Sequence, residues 1–172
     1  MLKISGAILC VFGCFGFGFL KIYGWKKDLG NLQNWLLLFQ RIKSRVIYQK
    51  EPLEESCIWL GEKEEEKNGL VLYQIGMRAR AERHKEFAAI WKEEVSEWCR
   101  QNIQEKSIRE ILLQFPDYVK EADEQLQVDL FSYYIEELQR EKEKIRRRIQ
   151  EKEKTVMAVS LALGVMISIL LI

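Results

Sequence analysis

Apolar residues crowd into the two ends of this chain, and between them they fall at helical spacing among charges. The last eighteen residues, Thr155 to Ile172, hold no charge and no proline. At about 1.5 Å rise per residue such a run makes a helix roughly 27 Å long, close to the ~30 Å hydrocarbon core of a bilayer. Apolar on every side, it has no polar face to offer water. At the other end an apolar run extends from Ile4 to Leu20, and Ile22 and Tyr23 continue it past Lys21. The pattern predicts an N-terminal transmembrane helix over 1–23 and a C-terminal one over 155–172.

Between these runs the pattern is amphipathic. From Asp28 to Tyr48, apolar residues recur at 32, 35, 36, 39, 42 and 46, one stripe at helical period. Pro52 stops that helix and suits the first turn of the next, which runs from about Leu53 through Cys57 and Leu60. Lys67-Asn68-Gly69 reads as a turn, followed by a helix from Leu70 to about Arg83. A fourth helix presents Phe87, Ile90, Trp91, Val95 and Trp98 on one face. Ser107 with Glu110 has the spacing of a capping box for a short fifth helix that Pro116 ends. From Asp117 a long sixth helix is driven by Val119, Leu126, Leu130, Tyr133, Tyr134 and Leu138. Trp35, Trp59, Trp91 and Trp98 fall at core-facing positions. The expected fold is all-α: a bundle of about six helices over 26–138, a charged helical stalk over 139–154, and a transmembrane helix on either side. Glu136–Arg140 and Glu143–Arg147 have the spacing of supporting pairs in the stalk.

Charge orients the two apolar runs. Lys21, Lys26 and Lys27 follow the first, and Lys142, Lys144, Arg146, Arg147, Arg148, Lys152 and Lys154 precede the second. By the positive-inside rule the central segment is cytoplasmic, with both termini across the cell membrane. The basic cluster 144–148 reads as a topology signal or as a lipid-binding patch. A cleaved signal or lipoprotein leader ending near Cys14 is the competing reading of the first run. Small residues recur every four positions in both runs: Gly6, Cys10, Cys14 and Gly18 in the first, Ser160, Gly164 and Ser168 in the second. Such stripes let helices approach closely in lipid, although glycine is also simply common in membrane helices.

Candidate chemistry is sparse. The net charge of +1 gives no case for nucleic acid. Four cysteines at 10, 14, 57 and 99 form neither a disulfide framework nor a CxxC pair, so reduced thiols are expected. Cys10 and Cys14 have no histidine or carboxylate partner for a metal. His84, the sole histidine, sits in a charge run, and the Glu62–Glu66 acidic run reads as a solvated edge. No phosphate loop, metalloprotease motif or nucleophile elbow is present. The reading is of a protein that is not an enzyme, with no cofactor, metal or small-molecule substrate.

One stretch carries a resemblance. Ile47-Tyr48, then Pro52-Leu53-Glu54-Glu55, resembles the Ile-Tyr and Pro-Leu-x-Glu signature of the stage III sporulation protein AB family. The opening Met1-Leu2-Lys3 with Gly6, and the order of span, helical domain and span, are similar to that family over nearly the whole chain. Farther on, the family's Phe-Gly-x-x-Leu-Gly-x-x-Asp frame is kept as Phe115, Val119 and Asp123, with Gln127 following and both glycines replaced, by Pro116 and Lys120. The resemblance implies a mother-cell membrane subunit of a secretion-like channel complex linking mother cell and forespore. Its cytoplasmic domain would be similar to those of the platform (F) proteins of type II secretion and type IV pilus machines. Its partners would be the cytoplasmic ATPase, stage III sporulation protein AA, and the other membrane subunits. Tyr48, Pro52, Leu53, Glu55, Asp123 and Gln127 are then the candidates for partner contact, and their ordinary reading is helix starts and exposed helix faces. The expected function is a scaffold coupling that ATPase to the channel; the alternative is a membrane-anchored regulator or receptor whose bundle binds a soluble signalling protein.

Overall fold

The computed structural model describes residues 2–64, 67–119 and 124–171, without the side chains of 2–12, 14, 15, 17, 124, 164, 165 and 167–171. Six α-helices carry the described chain: α1 (Leu2–Lys43), α2 (Leu53–Lys63), α3 (Lys67–Ala81), α4 (Phe87–Asn102), α5 (Lys106–Leu113) and α6 (Glu124–Leu171). A π-helical turn, Ser44–Tyr48, ends α1, and a 3-10 turn, Phe115–Tyr118, follows α5. The described residues hold no strand, so the fold is all-α, as the periodicity predicts. The chain divides into two compact units. One comprises Met1–Leu29 with Glu143–Ile172, the other Gly30–Lys142.

The bundle unit, Gly30–Lys142, is built on aromatic rings. The α1 stripe delivers Leu32, Trp35, Leu36, Phe39 and Ile42, all buried. Trp35 meets Trp91 of α4 edge-on at 5.8 Å, and Phe39 meets Phe115 of the 3-10 turn at 4.6 Å. Tyr134 of α6 stands edge-on to Phe39 at 5.0 Å. Among the described residues the Trp35 and Trp98 Nε1 groups find no acceptor, but Trp91 Nε1 donates to the Leu112 carbonyl at 2.9 Å, and the Tyr134 hydroxyl to that of Ile111 at 3.1 Å. Both carbonyls belong to the last turn of α5, where helix carbonyls lack intrahelical partners. Asn31 Nδ2 does the same for Asn102 at the end of α4.

Helices α2 and α3 pack so closely that glycine is required between them. A Cβ on Gly76 would lie 2.6 Å from the Glu54 carbonyl oxygen and 2.9 Å from the Ile58 nitrogen. The same closeness explains one departure from the sequence reading. Lys67-Asn68-Gly69 is the first turn of α3, not a loop. Gly69 sits so near the backbone of Glu64 that a Cβ would fall 2.5 Å from its carbonyl oxygen. Local turn preference yields here to packing. Three other boundaries differ. The apolar N-terminal run and the following stripe are one helix, α1, because Gly24 and Gly30 alone do not break a helix. Helix α5 starts at Lys106 with no side-chain cap, and Ser107 Oγ has no hydrogen-bond partner among the described residues. Residues 115–118 form a 3-10 turn, its geometry suited to the fixed φ of Pro116.

The hairpin unit, Met1–Leu29 with Glu143–Ile172, pairs its two helical segments antiparallel. Gly18 opposes Ser160, and Lys26 Nζ reaches Glu153 Oε1 at 2.7 Å. Ile22, Ile145, Ile149 and Asp28 are buried. The apolar side chains turned outward are large: Phe19, Leu20 and Tyr23 on α1, and Val159, Leu161, Leu163 and Met166 on α6. Among the described residues no helix is long and apolar enough to cross a membrane. Most positions of the first predicted span and eight of the second lie outside those whose side chains are described, including Gly6, Cys10, Cys14, Gly164 and Ser168 of the small-residue stripes.

Candidate functional site

The signature stretch forms the joint between α1 and α2. The π-helical turn widens the end of α1, and the Arg45 carbonyl there accepts the N–H groups of both Gln49 and Glu51, at 3.1 and 3.3 Å. Lys50 then takes a left-handed backbone, φ 55°, uncommon for a residue with a side chain. Pro52 adopts the extended ψ of 145° that precedes a helix, and its carbonyl accepts the Ser56 N–H at 3.0 Å. The chain thus turns tightly from one helix into the next.

A side-chain clasp holds this turn. The Arg45 guanidinium grips Glu51 with two bonds, Nε to Oε2 at 2.5 Å and Nη2 to Oε1 at 2.6 Å. Ser56 Oγ, buried in α2, donates to Glu51 Oε2 at 2.8 Å. The flat face of the guanidinium lies over the Trp59 ring, 3.9 Å from its centre. Fork-to-carboxylate pairing of this kind is stronger than a neutral hydrogen bond and fixes direction as well. The Arg45 bonds hold the Glu51 carboxyl below the usual range, with burial opposing and Ser56 assisting. Trp59 is accordingly not a core residue as its spacing predicts: it is 41% exposed and serves as the platform for Arg45.

Beside the clasp lies a depression open to solvent, lined by Val46, Lys50, Pro52, Leu53, Val119 and Gln127. Pro52, Leu53 and Gln127 therefore share one surface although up to 75 positions apart in the chain. Tyr48 is 74% exposed, on the π-helical turn. Glu55 points away to an ion pair with Arg80 of α3. Asp123 lies outside the described residues. Arg45, Ser56 and Trp59 are not among the sequence candidates. A basic residue six positions before a Glu-Pro pair, with a serine four after the proline, is the only sequence trace of the clasp.

A second polar centre ties α3 to α4. Arg78 reaches Glu82 at 2.7 Å, Glu93 at 3.0 Å and Glu94 at 2.6 Å, and Lys85 reaches Glu93 at 2.6 Å. Hydrogen bonds donated to Glu82, Glu94 and Glu93 hold the guanidinium proton more tightly than usual. The Glu82 carboxyl is held low chiefly by Arg78, and that of Glu93 by Lys85 and then Arg78. Cys57 and Cys99 are buried and not joined in a disulfide, and burial raises the Cys57 thiol far above its ordinary range. The described residues contain no cluster of His, Cys, Asp or Glu able to hold a metal.

Among known protein families, the one described as stage III sporulation protein AB matches residues 3–172. No curated protein and no solved structure matches the chain. The family match takes in the hairpin unit, the signature joint and the bundle together, and the chain belongs to the stage III sporulation protein AB family.

Proposed function

We propose that this chain is a non-enzymatic scaffold subunit of a sporulation membrane complex, held in the mother-cell membrane by its hairpin unit and docking a cytoplasmic ATPase on its bundle unit. Family membership supplies the link to sporulation. The observation that carries the docking role is the convergence of Pro52 and Leu53 of the signature with Gln127 on one solvent-open depression. A clasp of arginine, carboxylate, serine and tryptophan beneath an exposed turn holds that surface in a single shape, which lowers the ordering cost of binding. The membrane role is supported by outward apolar side chains such as Leu20 and Leu161, 67% and 50% exposed, over a Gly18–Ser160 contact. Close contact between small residues is how helices associate in lipid.

The test is capture of partners by the full chain solubilised in detergent from sporulating cells. The proposal expects co-purification of a hexameric ATPase with further membrane subunits. Leu53→Glu and Gln127→Ala should lose the ATPase while keeping helical circular dichroism. Recovery of a lone soluble signalling protein, with the ATPase absent, would instead identify a membrane-anchored regulator.

A further inference from the structure

Trp25, half-buried in the hairpin unit, has two ammonium groups on one ring. Lys21 Nζ and Lys152 Nζ each lie 5.8 Å from the indole centre. Both lysines are exposed, and neither makes an ion pair among the described residues. The neighbouring Lys26 differs, because Glu153 answers its charge at 2.7 Å. Two ammonium groups on one ring without a carboxylate make a site of positive potential that an anion would neutralise. At the same level along α1, Phe19, Leu20 and Tyr23 are turned outward on the adjoining sides of the helix, 56%, 67% and 62% exposed. The anion that fits has a charged head and an apolar body.

The charge distribution points the same way. Residues 1–29 and 143–172 carry ten basic against four acidic side chains, while residues 30–142 carry 17 against 22. A net charge of +1 thus conceals a strongly basic hairpin unit.

We propose that Lys21, Trp25 and Lys152 bind the phosphate of an anionic phospholipid, at the level of the hairpin unit where Phe19, Leu20 and Tyr23 meet the surrounding acyl chains. The inference rests on the membrane reading above. An indole favours the membrane–water interface, and lysine binds phosphate as a point charge. A juxtamembrane lysine draws anionic lipid by about fivefold in binding constant.

The experiment uses the full chain in phosphatidylcholine vesicles containing a minor fraction of phosphatidylglycerol, with brominated acyl chains on one lipid or the other. Subtracting the fluorescence of Trp25→Phe isolates Trp25. Quenching per brominated lipid should be stronger from phosphatidylglycerol. Removing Lys21 and Lys152 as Lys21→Gln and Lys152→Gln should lower that preference by about fivefold each, and Lys26→Gln should leave it in place. Equal quenching by the two lipids, with the chain still floating with the vesicles, overturns the site and leaves the membrane reading standing. A chain that does not float overturns both. Loss of the preference on adding inorganic phosphate would mark a free-anion site and overturn the lipid assignment.

Discussion

In the bundle unit the side chains turned inward are among the largest in the chain, Trp35, Phe39, Trp91, Phe115 and Tyr134, and the exposed surface is rich in charge. In the hairpin unit Gly18 meets Ser160, while Phe19, Leu20, Val159, Leu161 and Met166 face outward. The first is ordered chiefly as water requires; in the second Ile22, Ile145 and Ile149 are buried, but around the Gly18–Ser160 contact the large apolar side chains face outward. Shown to water, each large apolar side chain forgoes about 1.5–3 kcal/mol of burial; shown to lipid, it forgoes nothing, and contact between small residues becomes the useful interior. The contrast teaches that hydropathy locates apolar residues, but the surrounding solvent decides which way they turn.

Four variants break or sharpen this contrast, beginning with the largest effect. Trp91→Ala removes the ring touching Trp35, Phe39, Phe87 and Phe115. It should cost about 3–5 kcal/mol of bundle stability, read by urea unfolding through near-ultraviolet circular dichroism. Gly76→Ala places a Cβ against the backbone of α2, which cannot move aside, and should cost about 1–3 kcal/mol in the same measurement.

Arg78→Gln should have a smaller effect, since Arg78 and its carboxylates are partly solvated. Its signature is pH dependence. The Glu82 and Glu93 carboxyls are depressed below 4.5 in the folded state. They therefore stabilise the fold above that pH, and the stabilisation is lost as pH falls through their lower folded values. The urea midpoint should drop below about pH 4.5, and Arg78→Gln should flatten that drop.

The smallest thermodynamic change is in the hairpin unit. There the pair Gly18→Cys with Ser160→Cys, in a chain with Cys10 and Cys14 changed to Ser, should form a disulfide on mild oxidation. A Cβ on Gly18 lies 3.2 Å from that of Ser160, near the spacing a disulfide uses. Failure to cross-link would remove the small-residue contact from the account.

Where packing follows period, the sequence was readable. The stripe at 32, 35, 36, 39, 42 and 46 is buried up to Ile42 and half-buried at Val46, and Trp91, Val95 and Trp98 fill the face of α4 that their spacing indicates. Local signals misled where tertiary contact overrides them. Asn68-Gly69 has the look of a turn, yet Asn68 is buried inside α3 and Gly69 is there for the close approach of Glu64. Ser107 and Glu110 have capping-box spacing, yet the helix begins before both. Trp59 has core spacing, but Arg45 lies 14 positions earlier and only the fold brings the two together. The same holds for the depression, since nothing in the order of residues places Gln127 beside Pro52. The Arg78 centre was invisible because a charged residue near other charges is ordinary in any helical sequence.

The most direct test of the contrast is collision accessibility of nitroxide labels on the full chain in vesicles. Labels at Val159, Leu161, Leu163 and Met166 should collide readily with dissolved oxygen and poorly with a water-soluble nickel chelate. Labels at Gln139 and Arg140, exposed on the same helix α6, should show the reverse. Nickel access at the first four positions equal to that at the last two would contradict the account.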